Sequence, residues 1–167
     1  MSRSRASIAR RRAAPPAPSG FRYYRFKPTS IRNTTFGVAA WIAELAFLNG
    51  TTPLTGATVT SFDYTHPGWW TPSELPPSAA DGNLATKYVQ QDYAIGGLQY
   101  DFGSPKTATG YRWATGTDQY GITDYDPTGW VVSGSNDGTT WTVLDTRTAY
   151  ATPTARNVWL PDFPLTS

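Results

Sequence analysis

From Phe21 onward, apolar and polar residues alternate in short runs. Leu98, Tyr100 and Phe102 are separated by Gln99 and Asp101, and Tyr111 and Trp113 by Arg112. A period of two turns the apolar members of a strand toward a core and the polar ones toward water. Tyr24 and Phe26 around Arg25 repeat the pattern, as do Trp130 with Val132 and Trp141 with Val143. Between these last two pairs stands Asn136-Asp137-Gly138, whose residues tolerate the positive φ of a tight turn, so a hairpin is predicted there. Val59, and Val158 with Leu160, mark two further strands. The apolar run over residues 38–48 is too continuous to show a helical stripe and reads as a buried strand. Many short strands, frequent Gly and Pro, and no βαβ spacing predict an all-β fold, an antiparallel sandwich or jelly roll without internal repeats.

Composition agrees with strands. The 167 residues suffice for one domain. Seven Trp and ten Tyr stand against one Met, a balance that favours sheet over helix. The absence of Cys excludes a disulfide framework, a thiolate metal site and a thiol nucleophile, and His66 is the one histidine. No apolar run approaches the roughly 18 residues that cross a bilayer, so no membrane partner is expected. The basic N-terminus lacks the apolar stretch of a secretory signal, which leads us to expect synthesis in the cytoplasm of a host cell without export.

Charge divides the chain in two. Arg3, Arg5, Arg10, Arg11 and Arg12 give residues 1–20 a charge of +5 with no acid, whereas residues 21–167 hold the other nine of the 14 basic residues against all 12 acidic ones, a net −3. Residues 13–20 are small and Pro-rich and cannot bury enough surface to offset the entropy of ordering. The expected organisation is an extended anchoring arm over 1–20 and a sandwich over 21–167.

Three segments carry a family resemblance. Residues 80–88 (ADGNLATKY) resemble the A-x-D-G-N-x-x-T-x-W loop of discoidin-like, or coagulation-factor type C, domains, with Tyr88 in place of Trp. Residues 98–107 (LQYDFGSPKT) are similar to the strand that follows it in the family, and residues 130–144 (WVVSGSNDGTTWTVL) to its Gly-Ser-Asn-Asp-Gly hairpin. The resemblance implies a galactose-binding-like β-sandwich. Segments similar to residues 22–26 and 42–45 close the usual family member, whereas here they open the domain. That order implies a circular permutation, similar to modules of phage tails and other virion proteins, and permutation is tolerated where the joined termini lie close together.

The resemblance also implies a structural calcium ion, held by Asp81, Asn83 and Thr86 with a carboxylate from Glu44, because hard cations take several such oxygens. A plain turn whose side chains cap their own backbone accounts equally for these residues. No other cofactor is expected. The loop with His66, Trp69 and Trp70 suits glycan capture, since sugar C–H faces stack on exposed rings; loop Trp residues also plug sandwich ends. Asp118, Tyr120, Asp124 and Tyr125 lie at the rim where related modules bind ligands, although acids in polar turns are commonly just solvated. Nothing in the sequence sets Asp124 and Asp126 on opposing walls of a cleft as glycosidic chemistry requires, so no enzyme is expected.

These readings lead to a virion structural protein, a capsid decoration, tail or baseplate component. Its arm docks onto other virion proteins through carboxylates that accept bidentate hydrogen bonds from Arg3, Arg5 and Arg10 to Arg12. Its sandwich is displayed in many symmetric copies and is a candidate glycan binder. The alternative is a freestanding carbohydrate-binding module. Nucleic-acid binding by the arm is weakly signalled, since five charges stand without interleaved aromatics and the body opposes them with its net −3.

Overall fold

A computed structural model of the chain describes residues 20–35, 37–63, 71–117 and 120–166. The fold is all-β. Ten strands follow in order: β1 (Phe21–Ile31), β2 (Ala40–Asn49), β3 (Thr52–Pro53), β4 (Thr58–Phe62), β5 (Tyr88–Gln90), β6 (Gly97–Lys106), β7 (Gly110–Thr115), β8 (Pro127–Ser135), β9 (Thr142–Arg147) and β10 (Phe163–Pro164). Two antiparallel sheets face each other. The first has the order β4-β6-β1-β8-β9; the second has the order β10-β7-β2-β3, with β5 also paired to β2.

The alternating residues build the core. Tyr24 and Phe26 of β1, Leu98, Tyr100 and Phe102 of β6, and Trp130 and Val132 of β8 enter it from the first sheet. Ile42, Leu45 and Phe47 of β2, with Tyr111 and Trp113 of β7, meet them from the second. Trp130 packs 5.7 Å from Phe26, 5.5 Å from Trp113 and 5.4 Å from Phe163, measured between ring centroids. Its Nε1–H donates to the Tyr111 hydroxyl at 2.6 Å; that hydroxyl donates to Asp145 at 2.5 Å, and Arg147 Nε–H donates to the same carboxylate oxygen at 2.8 Å. A polar group taken out of water keeps its hydrogen bonds only through such a relay. The run over residues 38–48 is strand β2, as its continuous apolar character suggests, because both of its faces are covered.

Two sequence expectations are corrected. Trp141 and Val143 do not face the core. A β-bulge between Val132 and Ser133 pairs them with Asp145 and Val143, so the intervening Leu144 turns inward and Val143 is 61% exposed. Trp141 lies outside the sandwich, where the Arg25 guanidinium sits 3.8 Å from its ring centroid. Val158 and Leu160 form no strand of their own. They run beside β7 with one isolated bridge, Ala114 to Trp159, and a true ladder begins only at Phe163. Pro161 lacks the N–H that would continue the pairing.

The hairpin between β8 and β9 is built on its Asp. The Asp137 carboxylate accepts the N–H groups of Thr139 and Thr140 at 2.8 and 2.7 Å and the Ser135 hydroxyl at 2.9 Å, and these donors hold it below the usual carboxylate range. The tip grips the root of the arm: Asn136 Oδ1 accepts the Arg22 N–H at 2.9 Å. Arg22 also makes a bidentate pair with Asp101, both contacts 2.8 Å. Gly20, at φ +125°, passes so close to β6 that a Cβ there would meet the Lys106 carbonyl oxygen at 2.2 Å. Gly20 and Thr166 line one groove, so the two ends of the described chain lie together.

Candidate functional site

Glu44 and the 81–86 loop are brought together although 39 positions separate the pair in contact. On β2 the chain shifts register between Ile42 and Glu44, which leaves Leu45 in the core and aims Glu44 at the loop. The loop turns at Gly82, whose φ of +77° is open to glycine at little cost. That turn presents the Asn83 N–H both to Glu44 Oε1 and to Asp81 Oδ1, each at 2.8 Å. The Thr86 hydroxyl lies 2.8 Å from Asp81 Oδ2 and 2.8 Å from the Asn83 carbonyl oxygen. Asp81, Asn83 and Thr86 thus gather around one another with Glu44 behind them.

Two carboxylates meet here without a counter-charge: among the described residues no Lys or Arg makes an ion pair with Glu44 or Asp81. Burial, and then the shared hydrogen bond with Asp81, push the Glu44 carboxyl up to about 7, while the N–H groups of Asn83 and Gly82 draw it back. The donor set suits a hard cation, being all oxygen: the two carboxylates, the Thr86 hydroxyl and the Asn83 carbonyl. No cluster of three His, Cys, Asp or Glu forms among the described residues, so an ion here would rest on two acids and neutral oxygens.

A pH dependence follows for the metal-free protein. A carboxyl whose folded pKa is raised contributes stability that is present below its unfolded value of 4.5 and lost as the pH rises through about 7. In chelator, denaturation between about pH 5 and about pH 8 is expected to show a fall of at most about 3 kcal/mol. Glu44→Gln, which stays neutral, should flatten that slope; equal slopes in both proteins would show that Glu44 is not its source.

The rim beyond β1 holds the second set. Tyr120 is 78% exposed. Tyr125 instead packs on Trp41 with ring centroids 4.6 Å apart, and Lys87 Nζ sits 4.7 Å from the Trp41 centroid. The Asp124 carbonyl accepts the Asn33 N–H at 3.0 Å, which fixes the backbone of the 120–126 turn to the segment after β1. An open depression of about 520 Å³ lies beside Tyr125, bordered by Val38, Gln91, Asp92 and Ile95. His66, Trp69, Trp70 and Asp118, and the arm residues Arg3, Arg5, Arg10, Arg11 and Arg12, lie outside the described residues.

The neighbouring acid belongs to the framework. Asp126, 1% exposed, receives a bidentate pair from Arg156 at 2.7 and 2.5 Å and a further bond from Arg32 at 3.1 Å. Arg32 also donates to the carbonyls of Thr123 and Thr152, and Arg156 to that of Gly116. Three loops are joined through one carboxylate. The sequence carries no signal for this cluster, since Arg32 and Arg156 stand 124 positions apart in unrelated contexts. Comparison with family models, curated proteins and solved structures finds no match. The likeness to discoidin-like domains therefore rests on the three sequence segments alone.

Proposed function

We propose that this chain is a non-enzymatic structural protein of a virus particle, held there by its basic arm and displaying a calcium-braced β-sandwich that binds glycans at its rim. The observation that carries the reading is the division at Gly20. Among the described residues the apolar core runs from Tyr24 to Phe163, and the cationic, Pro-rich stretch precedes it in the sequence. A stretch of small, basic and Pro residues has little apolar surface of its own to bury, which suits a separate task, and its five Arg suit acidic protein surfaces. At the other end of β1, exposed Tyr120 and the depression beside Tyr125 offer stacking and hydrogen-bonding groups to a saccharide. Repetition over a symmetric particle turns weak single contacts into avidity.

The test is fractionation of particles on a density gradient from cells that make the chain. The full protein is expected with the particles. A version lacking residues 1–19 should keep its melting temperature and remain in the soluble fraction. Truncated protein that still sediments with particles overturns the anchor, and glycan binding without particle association favours the freestanding module.

The cation has its own prediction. Calcium at a hundredfold excess over its Kd should stabilise the sandwich by about 2.7 kcal/mol, read as a rise in melting temperature. Asp81→Asn should abolish that rise. A melting temperature indifferent to calcium and chelator leaves the loop as a self-capped turn.

A further inference from the structure

A second concavity lies away from the rim, on the open flank of the sandwich where both sheets contribute. Its volume is about 280 Å³, and it is bordered by Glu44, Ala46, Arg112 and Trp159, with the 53–57 and 80–82 loops forming its walls. The room comes from small residues: Ala46 pairs with Arg112 across β2 and β7, and Gly56, Ala57, Ala80 and Gly82 supply no bulk.

The polar groups in it are only partly engaged. Arg112 Nε is buried without a hydrogen-bond partner among the described residues, and the nearest carboxylate contact of this guanidinium, Nη1 to Asp162, is a long 3.8 Å. The Nε–H is closed to solvent, so a ligand would meet this guanidinium through the part that borders the cavity. Trp159 is 37% exposed, and Arg112 lies 4.7 Å from its ring centroid, so the indole is held in orientation while part of it borders the cavity. One carboxyl, one guanidinium and one indole meet in a space near the lower end of the roughly 300–1,000 Å³ of small-ligand sites.

We propose that this flank cavity is a saccharide subsite that takes a single pyranose ring, stacked on Trp159 and accepting a hydrogen bond from Arg112. The two groups that border the space beside the loop select the ligand class: Arg112 opposes a cation and donates to the oxygens of a hydroxylated ring, while the apolar face of such a ring stacks on Trp159. Size limits it to one ring of a longer glycan. The proposal rests on the reading of the sandwich as a glycan binder and moves part of that binding from the rim to the flank.

The experiment titrates the full-length, 15N-labelled chain with the methyl glycosides of galactose, glucose and mannose and with N-acetylglucosamine, each also presented as the terminal residue of an oligosaccharide. The Trp159 indole and Arg112 Nε–H resonances are expected to shift saturably with at least one sugar. Trp159→Ala should weaken binding by about tenfold. Ala46→Leu, which fills the floor and leaves Trp159 and Arg112 in place, should abolish it in a protein whose melting temperature shows that it is folded. A response to oligosaccharide alone places the ring within a longer chain, and a response to both forms makes the terminal ring sufficient; either supports the site. Binding that survives both variants but is lost in Trp69→Ala overturns the flank site and keeps the glycan-binding reading. No saturable shift with any sugar overturns both.

Discussion

Replacing Asp126 by Asn is expected to destabilise the sandwich by about 3–5 kcal/mol, because it removes the one anion that two guanidinium groups share. The carboxylate is buried and takes three short contacts from Arg156 and Arg32. Asn keeps the volume but not the charge, so both Arg side chains would remain largely desolvated beside a neutral group. Their remaining bonds to the carbonyls of Gly116, Thr123 and Thr152 compensate only in part. Urea denaturation at constant m-value measures the loss. A change below about 1 kcal/mol would mean that the cluster is solvated like an ordinary surface pair. The variant should also loosen the rim, since one carboxylate ties the 116–126 and 152–156 segments to the chain leaving β1.

Trp130→Leu is expected to cost a comparable amount, about 3–5 kcal/mol, for a different reason. The indole is wholly buried among Phe26, Trp113, Tyr150 and Phe163, and Leu leaves a cavity that rings from both sheets cannot collapse to fill. Tyr111→Phe isolates the polar share. It keeps the ring but leaves Trp130 Nε1–H without its acceptor and Asp145 without one donor, a loss of about 1–3 kcal/mol. A Tyr111→Phe effect equal to that of Trp130→Leu would make the relay, rather than the packing, the support of the core.

Alternation made much of this fold legible. Tyr24, Phe26, Leu98, Tyr100, Tyr111, Trp113 and Trp130 declare their inward face by a period of two, and the hairpin at residues 136–138 declares itself by turn chemistry. The pattern fails at Trp141 and Val143 because a single bulge residue resets the alternation, and a bulge leaves no mark in a run of Thr, Trp and Val. The meeting of Glu44 with Asn83 was expected from a family resemblance, since no spacing rule joins positions 39 apart. Arg32, Arg156 and Asp126 escaped altogether: ion pairs between loops depend on where chain ends converge in space. Trp159 escaped for a related reason, lying in a segment that borrows its position from β7 by one bridge.

The position of β1 has a mechanical consequence. Its 11 residues run from the root of the arm at Phe21 to the rim at Ile31, roughly 36 Å at about 3.3 Å per residue. It is paired to β6 over Phe21–Phe26 and to β8 from Tyr23 to Ile31. In the proposed role, a load between an anchor on one end and a ligand on the other would be directed along this strand, across its ladder bonds rather than in line with them. Shear of that kind strains many bonds at once, whereas peeling from an edge breaks them singly. A pull between the two ends of β1 would fall on the part of the molecule best able to resist tearing, and β9, at the sheet's border, would carry little of it.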